Sequence, residues 1–383
     1  MTAMNDRMKN SGNYRVHVQQ PTVPHYRVPF FDALSHLYDD RLVVSASRTM
    51  FDGPASAPVE RDYLDLTHRC SAMLGGRIFW QHGLQLADGM DEGDVAVISA
   101  NPRYLSTFKF AANARRRGMG LVWWGHGWSP TSRAWAMRVR SQLMSTVDAI
   151  LLYSDAEVAE WRSRMPPSIA VIGAQNAIDQ SQSKEQGTYW TAEKLLRFRN
   201  EQQLTGRKVL LFCGRLRTQP HTGADLLLKA LAELLKSDAA YLAVIIGDGN
   251  DQQRLHSLAQ ALGIDSHVRW LGARYDETEI APWFLCALCF VYPGPIGLSI
   301  LHAMGYGLPV ITHANRRRHN PEIVVLRDEW NGLMFEDGNV TDLAAKIAML
   351  AADGELHQRL AANALATAHQ DYTLDVMVRR FAA

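Results

Sequence analysis

The feature that most limits how this chain can fold is an alternation, run through twice, of short apolar stretches and longer amphipathic ones. In the first half the apolar runs fall at 15–19, 42–46, 95–99, 120–124, 149–153 and 169–172, with helical patterns such as 102–117 and 130–144 between several of them. In the second half they recur at 208–213, 242–246, 267–271, 288–292 and 309–312, with helical patterns near 224–236, 251–262, 277–285 and 298–306. Buried parallel strands with crossover helices produce this order: a strand covered on both faces is apolar throughout, whereas its return helix needs a single apolar stripe. Between the two series lies AQNAIDQSQSKEQGTYW, polar and glutamine-rich, which breaks the pattern for longer than an ordinary βα loop. Three helical patterns close the chain at 341–352, 356–369 and 374–381, and no tandem repeat or low-complexity tract is present. The 383 residues exceed the size at which one core keeps growing. The expectation is an α/β protein of two Rossmann-like doubly wound domains, 14–175 and 207–368, with a junction over 176–206 and a terminal helix over 369–383 crossing back to the first domain.

Composition removes several classes of function. With 47% hydrophobic and 21% charged residues the chain is neither disordered nor fibrous, and a net charge of +1 gives no global case for nucleic acid. The first twenty residues hold no apolar run between a basic start and a small-residue cleavage site, which speaks against a signal peptide. Cys286 and Cys289 have C-x-x-C spacing, but they sit in the apolar run FLCALCFVY with no second pair and no nearby histidine, so they read as buried thiols in a reducing cytosol. Residues 280–315 carry no Asp, Glu, Lys or Arg, yet Pro293, Gly294, Pro295 and Gly297 break that run short of the about 20 residues a membrane span needs.

In such sheets ligands bind beyond the carboxyl ends of the strands, and the glycines and cations gather there. After KVLLFC comes Gly214-Arg215-Leu216-Arg217: the glycine permits close backbone approach, and a guanidinium makes forked bonds to phosphate. A surface arginine in a βα turn is the alternative. The next strand ends in Ile246-Gly247-Asp248-Gly249-Asn250, which lacks the third glycine of a dinucleotide fingerprint and is equally a tight turn. Then VYPGPIGLSILHAMGYGLPV reads as strand, turn and helix, where Gly294 and Gly297 admit a ligand and amides near Leu298 point at an anion, unless the glycines serve the turn alone.

The first half adds three patches. The strand GLVWW ends in Gly125-His126-Gly127-Trp128, with glycines on both sides of the histidine; a core histidine is the alternative. Pro24-His25-Tyr26-Arg27-Val28-Pro29 comes after the first strand, and its His25 and Arg27 face either a diphosphate or an acceptor, or the loop is a rigid connector. Arg115-Arg116-Arg117 and SRAWAMRVRSQLM, with Arg133, Arg138, Arg140, Trp128 and Trp135, form a basic and aromatic cluster suited to an anionic membrane face or a pyrophosphate-linked acceptor; a solvated helix explains it too.

Five stretches in order, GRL with a loop and G-x-D-L-L-L-x-A, VIIGDG, VRWLG, GLSILHAMxxGLPVI and NGLMF, resemble glycosyltransferase family 4, the retaining, nucleotide-sugar-dependent enzymes of the GT-B fold. They span 208–335, and Asn176-Ala-Ile-Asp179 is similar to the family's N-G-V-D at the domain junction. The resemblance implies that Arg215 grips the donor diphosphate, and that His126 matches a histidine placed near the reacting sugar carbon. It also implies a second phosphate-binding lysine and two glutamates, whose positions hold Thr222, Gly294 and His302. The family's glycine-rich loop after strand one is replaced by the His25–Arg27 segment. A neutral imidazole offers one acceptor and one donor, so His302 keeps part of a ribose contact. Arg217, His221 and Arg316-Arg317-Arg318 are the other cations available to phosphate.

The resemblance thus implies a retaining transferase that moves a hexose from a nucleotide diphosphate sugar to a glycan or lipid-linked oligosaccharide for a surface polysaccharide. It would work in the cytoplasm or peripherally on the inner membrane face, with no cofactor, metal or nucleic acid. Arg215 and His126 are the expected catalytic residues. Gly214, Arg215, Gly247, Arg274, Gly294, Ile296, Gly297, Leu298 and His302 are the expected donor side, and His25, Tyr26, Arg27 and Trp128 the acceptor or phosphate candidates. A nucleotide-sugar epimerase of the same fold and a non-catalytic binding protein are the rival readings.

Overall fold

A computed structural model describes residues 14–49, 55–99, 101–127, 134–218 and 222–383. The chain divides into two units.

The first unit takes the described residues up to Ile178 together with Leu374–Ala383. Its eight strands are β1 (Val16–Gln19), β2 (Leu42–Ser47), β3 (Leu64–Met73), β4 (Ile78–His82), β5 (Val95–Ser99), β6 (Gly120–Gly125), β7 (Ala149–Leu152) and β8 (Ala170–Gly173). They lie in the order β4-β3-β2-β1-β5-β6-β7-β8, parallel except for the β3–β4 hairpin at one edge. Helices α1 (Val28–Tyr38), α2 (Leu105–Arg116), α3 (Ala134–Met144) and α4 (Asp155–Arg162) supply the crossovers. Successive residues of a strand face opposite sides, so the two adjacent tryptophans of β6 serve different cores: Trp123 enters one cluster with Phe110 and Trp161, while Trp124 enters the other with Phe30 and Phe31. The α4 start is fixed by a capping box between Ser154 and Glu157.

The second unit takes Asp179–Thr373. Strands β9 (Lys208–Cys213), β10 (Tyr241–Ile246), β11 (Val268–Gly272), β12 (Cys289–Val291), β13 (Val310–His313) and β14 (Gly332–Phe335) form a wholly parallel sheet in the order β11-β10-β9-β12-β13-β14. Chain order reverses at the β9/β12 boundary, which is where a crevice opens in a sheet of this kind. The helix after β9 is Ala224–Leu235, whose buried Leu227, Leu228, Leu231 and Leu234 recur at helical spacing and press one face against the sheet.

The expected junction over 176–206 is corrected by the structure. Asn176 to Ile178 go with the first unit, and the rest folds in the second as α5 (Ser181–Tyr189) and α6 (Ala192–Glu201). What sequence composition hides is aromatic packing: Phe198 meets the Trp283 ring at 5.0 Å and the Trp190 ring at 5.6 Å, and Arg199 donates to the Cys286 carbonyl at 2.9 Å. Within the terminal segment 369–383 the helix itself spans Leu374–Ala382, close to the helical pattern expected at 374–381. A π-helical turn over Thr367–Asp371 precedes it, and Leu374–Ala382 packs in the first unit, where Phe381 meets Phe30 at 5.4 Å and Trp124 at 5.0 Å. Cys286 and Cys289 are buried free thiols. Among the described residues no helix is long and apolar enough to cross a membrane.

Candidate functional site

In the second unit the loops after β9 and β10 are laced together by backbone bonds. Gly214 donates to Ile246 O (2.9 Å), Leu216 to Asp248 O (2.7 Å), and Gly247 to Gly272 O (2.8 Å). The approach is so close that a Cβ on Gly247, at φ +142°, would stand 1.9 Å from the Gly214 carbonyl oxygen. Gly247 therefore packs closely against the loop after β9 while staying partly exposed. Gly214 is similar in part, since a Cβ there would reach 2.9 Å from the Tyr292 ring, itself stacked on Phe212.

This lacing presents Arg215 and Arg217. Arg215 is exposed and Arg217 half-buried, and among the described residues neither lies within salt-bridge distance of a carboxylate. Burial, then the neighbouring Arg215 charge, lowers the Arg217 pKa. Across the strand-order reversal, the turn after β12 begins at buried Gly294, against whose amide Gly223 packs. The Thr222 hydroxyl, where a lysine was expected, is buried without a partner among the described residues. His221 and Trp128 lie outside the described residues.

Other donor-side expectations are redrawn. The Ile296 amide is not free for a ligand: it donates to His319 Nδ1 at 3.1 Å, while His319 Nε2 donates to His313 O at 2.8 Å. That pair of bonds needs the neutral ring, and burial, then the adjacent His313, brings the His319 pKa down to about 3. The helix after the turn is short, Ser299–Gly305, with Leu298 as its cap; its bonding begins with Ile300 donating to Gly297. Gly297 faces Asn320, whose Nδ2 would be 3.0 Å from a Cβ there. Arg274 is tied to Glu279 at 2.8 Å and to the Leu271 carbonyl. In the arginine run, Arg318 pairs with Asp337 at 2.8 Å and Arg316 donates to Leu326 O.

His302 has a partner that sequence reasoning missed. Its Nε2 lies 2.8 Å from Glu277 Oε1, and the Tyr306 hydroxyl donates to the same oxygen. Burial pushes the Glu277 carboxyl up, but the bonds from His302 and Tyr306 outweigh it and hold the group below the usual range. Glu277 opens the helix Glu277–Cys286, capped by Asp276, and sits 25 positions from His302 in sequence, so only tertiary folding joins them.

In the first unit the candidates gather at the carboxyl ends of β1, β6 and β7. His25 and Tyr26 are exposed, whereas Arg27 is 8% exposed and inserts among rings: Trp124 at 5.5 Å, Tyr26 at 5.6 Å, Tyr153 at 5.8 Å and Phe30 at 5.9 Å. Its Nη1 donates to Asn176 Oδ1 at 2.9 Å and meets Met377 Sδ at 3.7 Å. His126 meets the Tyr153 ring edge-on at 4.5 Å, and its Nδ1 is buried without a partner among the described residues. The ring is more enclosed than flanking glycines suggest, because Gly127 serves packing: a Cβ there would stand 2.1 Å from Trp161 Nε1. Burial, then Arg140 and Arg27, lowers the His126 pKa to about 4, so the imidazole is neutral near pH 7. The basic cluster is largely engaged within its own unit. Arg115 reaches Thr146 O, Arg116 reaches Asn113, Arg117 reaches Met90 O and Arg140 reaches Gly127 O. Arg133 lies outside the described residues, and so does the side chain of Trp135.

Two Rossmann-like parallel-sheet units in one chain define the GT-B fold. The crystal structure of Anabaena Alr3699/HepE in complex with UDP is similar over 96% of this chain and 98% of that one, with a TM-score of 0.69 at 19% identity. Residues 196–367, all within the second unit, match the family model Glycosyl transferases group 1. The chain is 34% identical over 142 residues to the lipopolysaccharide core biosynthesis glycosyltransferase LpsE of Rhizobium meliloti, covering 36% of this chain and 38% of that protein. It is 33% identical over 171 residues to the D-inositol 3-phosphate glycosyltransferase of Corynebacterium jeikeium, covering 42% of this chain and 39% of that one. The matches therefore span less than two fifths of either relative.

Proposed function

We propose that the protein is a retaining glycosyltransferase that moves a hexose from a nucleoside diphosphate sugar to a hydroxyl of a glycan or lipid-linked saccharide, in surface polysaccharide synthesis at the cytoplasmic side of the membrane. The observation that carries this reading is the pair of guanidinium groups Arg215 and Arg217. They are held without carboxylate partners among the described residues, at the strand-order reversal of the unit that matches the group 1 model. The departing diphosphate gathers negative charge as the glycosidic bond breaks, and cations already in place stabilise that charge without reorganisation. The UDP complex of the similar HepE structure supports a uridine nucleotide as the first donor to test.

In this reading Arg215 meets the diphosphate, assisted by Arg217 and by the amides of Gly297 and Leu298. His302 is oriented by Glu277. With Nε2–H given to that carboxylate, Nδ1 is left as an acceptor for a ribose hydroxyl. Neutral His126 positions the sugar rather than serving as a strong base. Leaving-group stabilisation of this kind needs no metal.

A thermal-shift screen of UDP, GDP, CDP, dTDP and their sugars identifies the donor, because a ligand that binds only the folded chain raises its melting temperature. Incubation of that donor with saccharide acceptors then separates the readings. Transfer supports the proposal, isomerised sugar without acceptor supports an epimerase, and binding with neither supports a non-catalytic protein. A chain that binds no nucleoside diphosphate refutes it.

A further inference from the structure

The hairpin β3–β4, which the proposed chemistry does not use, stands out from the first unit's sheet. Ser47, the last residue of β2, is paired with His68, so Arg69–Met73 run on past it as a ribbon paired only with β4. At strand spacing those residues carry the turn roughly 16 Å beyond the carboxyl end of β2. The ribbon is braced. Arg103 donates to the Arg77 and Gly76 carbonyls, its guanidinium lies 4.5 Å from the Phe79 ring centre, and the Phe79 amide donates to Arg103 O at 2.8 Å.

At the tip, Gly76 donates to Met73 O at 3.1 Å, and the central residues of this turn, Leu74 and Gly75, have φ +50° and +64°. Asn or Gly suits such positions, because a larger side chain at positive φ crowds the neighbouring carbonyl. Leucine is thus unfavourable for the turn and, at 71% exposed, unfavourable in water; Met73 beside it is 48% exposed. The second penalty disappears when the tip enters an apolar phase. Arg69 and Arg77 flank the tip, both exposed and, among the described residues, without an ion pair. From Leu66 to Ala87 the sequence holds no Asp or Glu, whereas exposed Asp39, Asp40 and Asp62 lead into β2 and β3 at the opposite end of the sheet.

We propose that this hairpin docks the first unit on an anionic lipid bilayer, with Met73 and Leu74 in the interface and Arg69 and Arg77 at the headgroup phosphates. A second copy of the chain is a poorer occupant: two such tips bring arginines against arginines, and the outer edge of β4 is already capped at Phe79 by Arg103 and Tyr104. Docking in this way turns the carboxyl end of the first unit's sheet toward the bilayer. That a lipid-linked acceptor is met there rests on the transferase reading; the docking does not.

The test is co-sedimentation of the full chain, without nucleotide, with vesicles of phosphatidylcholine carrying about one third phosphatidylglycerol, and with phosphatidylcholine alone. The wild-type chain should bind the anionic vesicles more tightly and lose that preference in high salt. Leu74→Asn suits the turn better than leucine, so the melting temperature should not fall. It should nevertheless weaken vesicle binding about tenfold, the loss of one buried leucine side chain. Arg69→Gln combined with Arg77→Gln should weaken binding to anionic vesicles roughly thirtyfold and to neutral ones little. A wild-type chain that ignores anionic vesicles, or binding that survives both sets of substitutions, overturns the proposal. So does a Leu74→Asn effect confined to oligomeric state in sedimentation velocity, the mark of a second copy on this surface. Vesicle binding with no sugar transfer supports the docking and refutes only the transferase reading; transfer to a water-soluble acceptor with no vesicle binding does the reverse.

Discussion

Gly247→Ala reports directly on how the second unit presents its cations. The backbone there has φ +142°, which side-chain-bearing residues rarely adopt, and the new Cβ would stand 1.9 Å from the Gly214 carbonyl oxygen and 2.9 Å from its carbon. A tolerable separation is roughly 3 Å, so one strand end must shift by about 1 Å in an interior packed as densely as an organic crystal. The backbone conformation costs about 1–3 kcal/mol and the overpacking about the same, giving roughly 2–6 kcal/mol in all. In a unit of this size each kcal/mol lowers the melting temperature by about 2–4 °C, so a fall of about 4–24 °C is expected. The displaced carbonyl precedes Arg215 in the chain, so nucleotide affinity should fall too. Gly263→Ala is the control: φ is +67° but nothing lies within 4 Å of the added carbon. It should cost only about 1 kcal/mol and spare the nucleotide. Melting by circular dichroism and UDP calorimetry on both variants give the answer. Equal melting temperatures and equal affinities would refute the claim that these loops are locked against each other.

The geometry carries three further expected outcomes. Arg215→Ala should weaken nucleotide binding by about tenfold or more, the loss of a charge-assisted bond worth about 1.4 kcal/mol; unchanged affinity in calorimetry removes Arg215 from the site. His126→Ala should cut turnover while sparing UDP affinity, and a variant with wild-type turnover disposes of its assigned role. Burial comes first among the causes that lower His17, His126 and His313 to about 4 and His319 to about 3. These folded pKa values lie below the unfolded one near 6.5, so the unfolded chain binds the extra protons between them. Their contribution is complete above about pH 6.5 and is lost as the pH falls toward 4, by up to about 1.4 kcal/mol per pH unit for each ring. His17→Gln should make the fall of urea-unfolding free energy between pH 6.5 and 4.5 shallower, and an unchanged slope tells against it.

Much of this was legible because buried parallel strands leave a strong local signal. The apolar runs at 95–99, 208–213 and 242–246 coincide with β5, β9 and the end of β10, and the five motif stretches fall within one unit. Sequence composition misled at 176–206, where polar helices are held by Phe198 against Trp283 and by Arg199 on a distant carbonyl; neither partner is implied by local pattern. The edge hairpin β3–β4 was missed because its outward residues, such as Arg69 and Ser71, break the apolar run. At the site, glycines and cations were visible but their partners were not. Ile296 loses its amide to His319 from 23 positions away, and His302 gains Glu277 from 25. Glycine also has two uses that a sequence does not separate, admitting a ligand and admitting close packing; Gly247 packs against the Gly214 backbone and Gly127 against the Trp161 ring.

The helix Leu374–Ala382 has a consequence for how the protein is made. Its Met377 and Phe381 complete a core in which Phe30 and Trp124 lie more than two hundred residues earlier. At a synthesis rate of about 5–20 residues per second, that apolar face waits roughly ten seconds or more for its cover while the second unit emerges and folds as a unit of its own. During that interval Arg27 lacks its Met377 contact and Phe30 lacks Phe381. The first unit is begun first and finished last, and the nascent chain is then most exposed to aggregation and to chaperones.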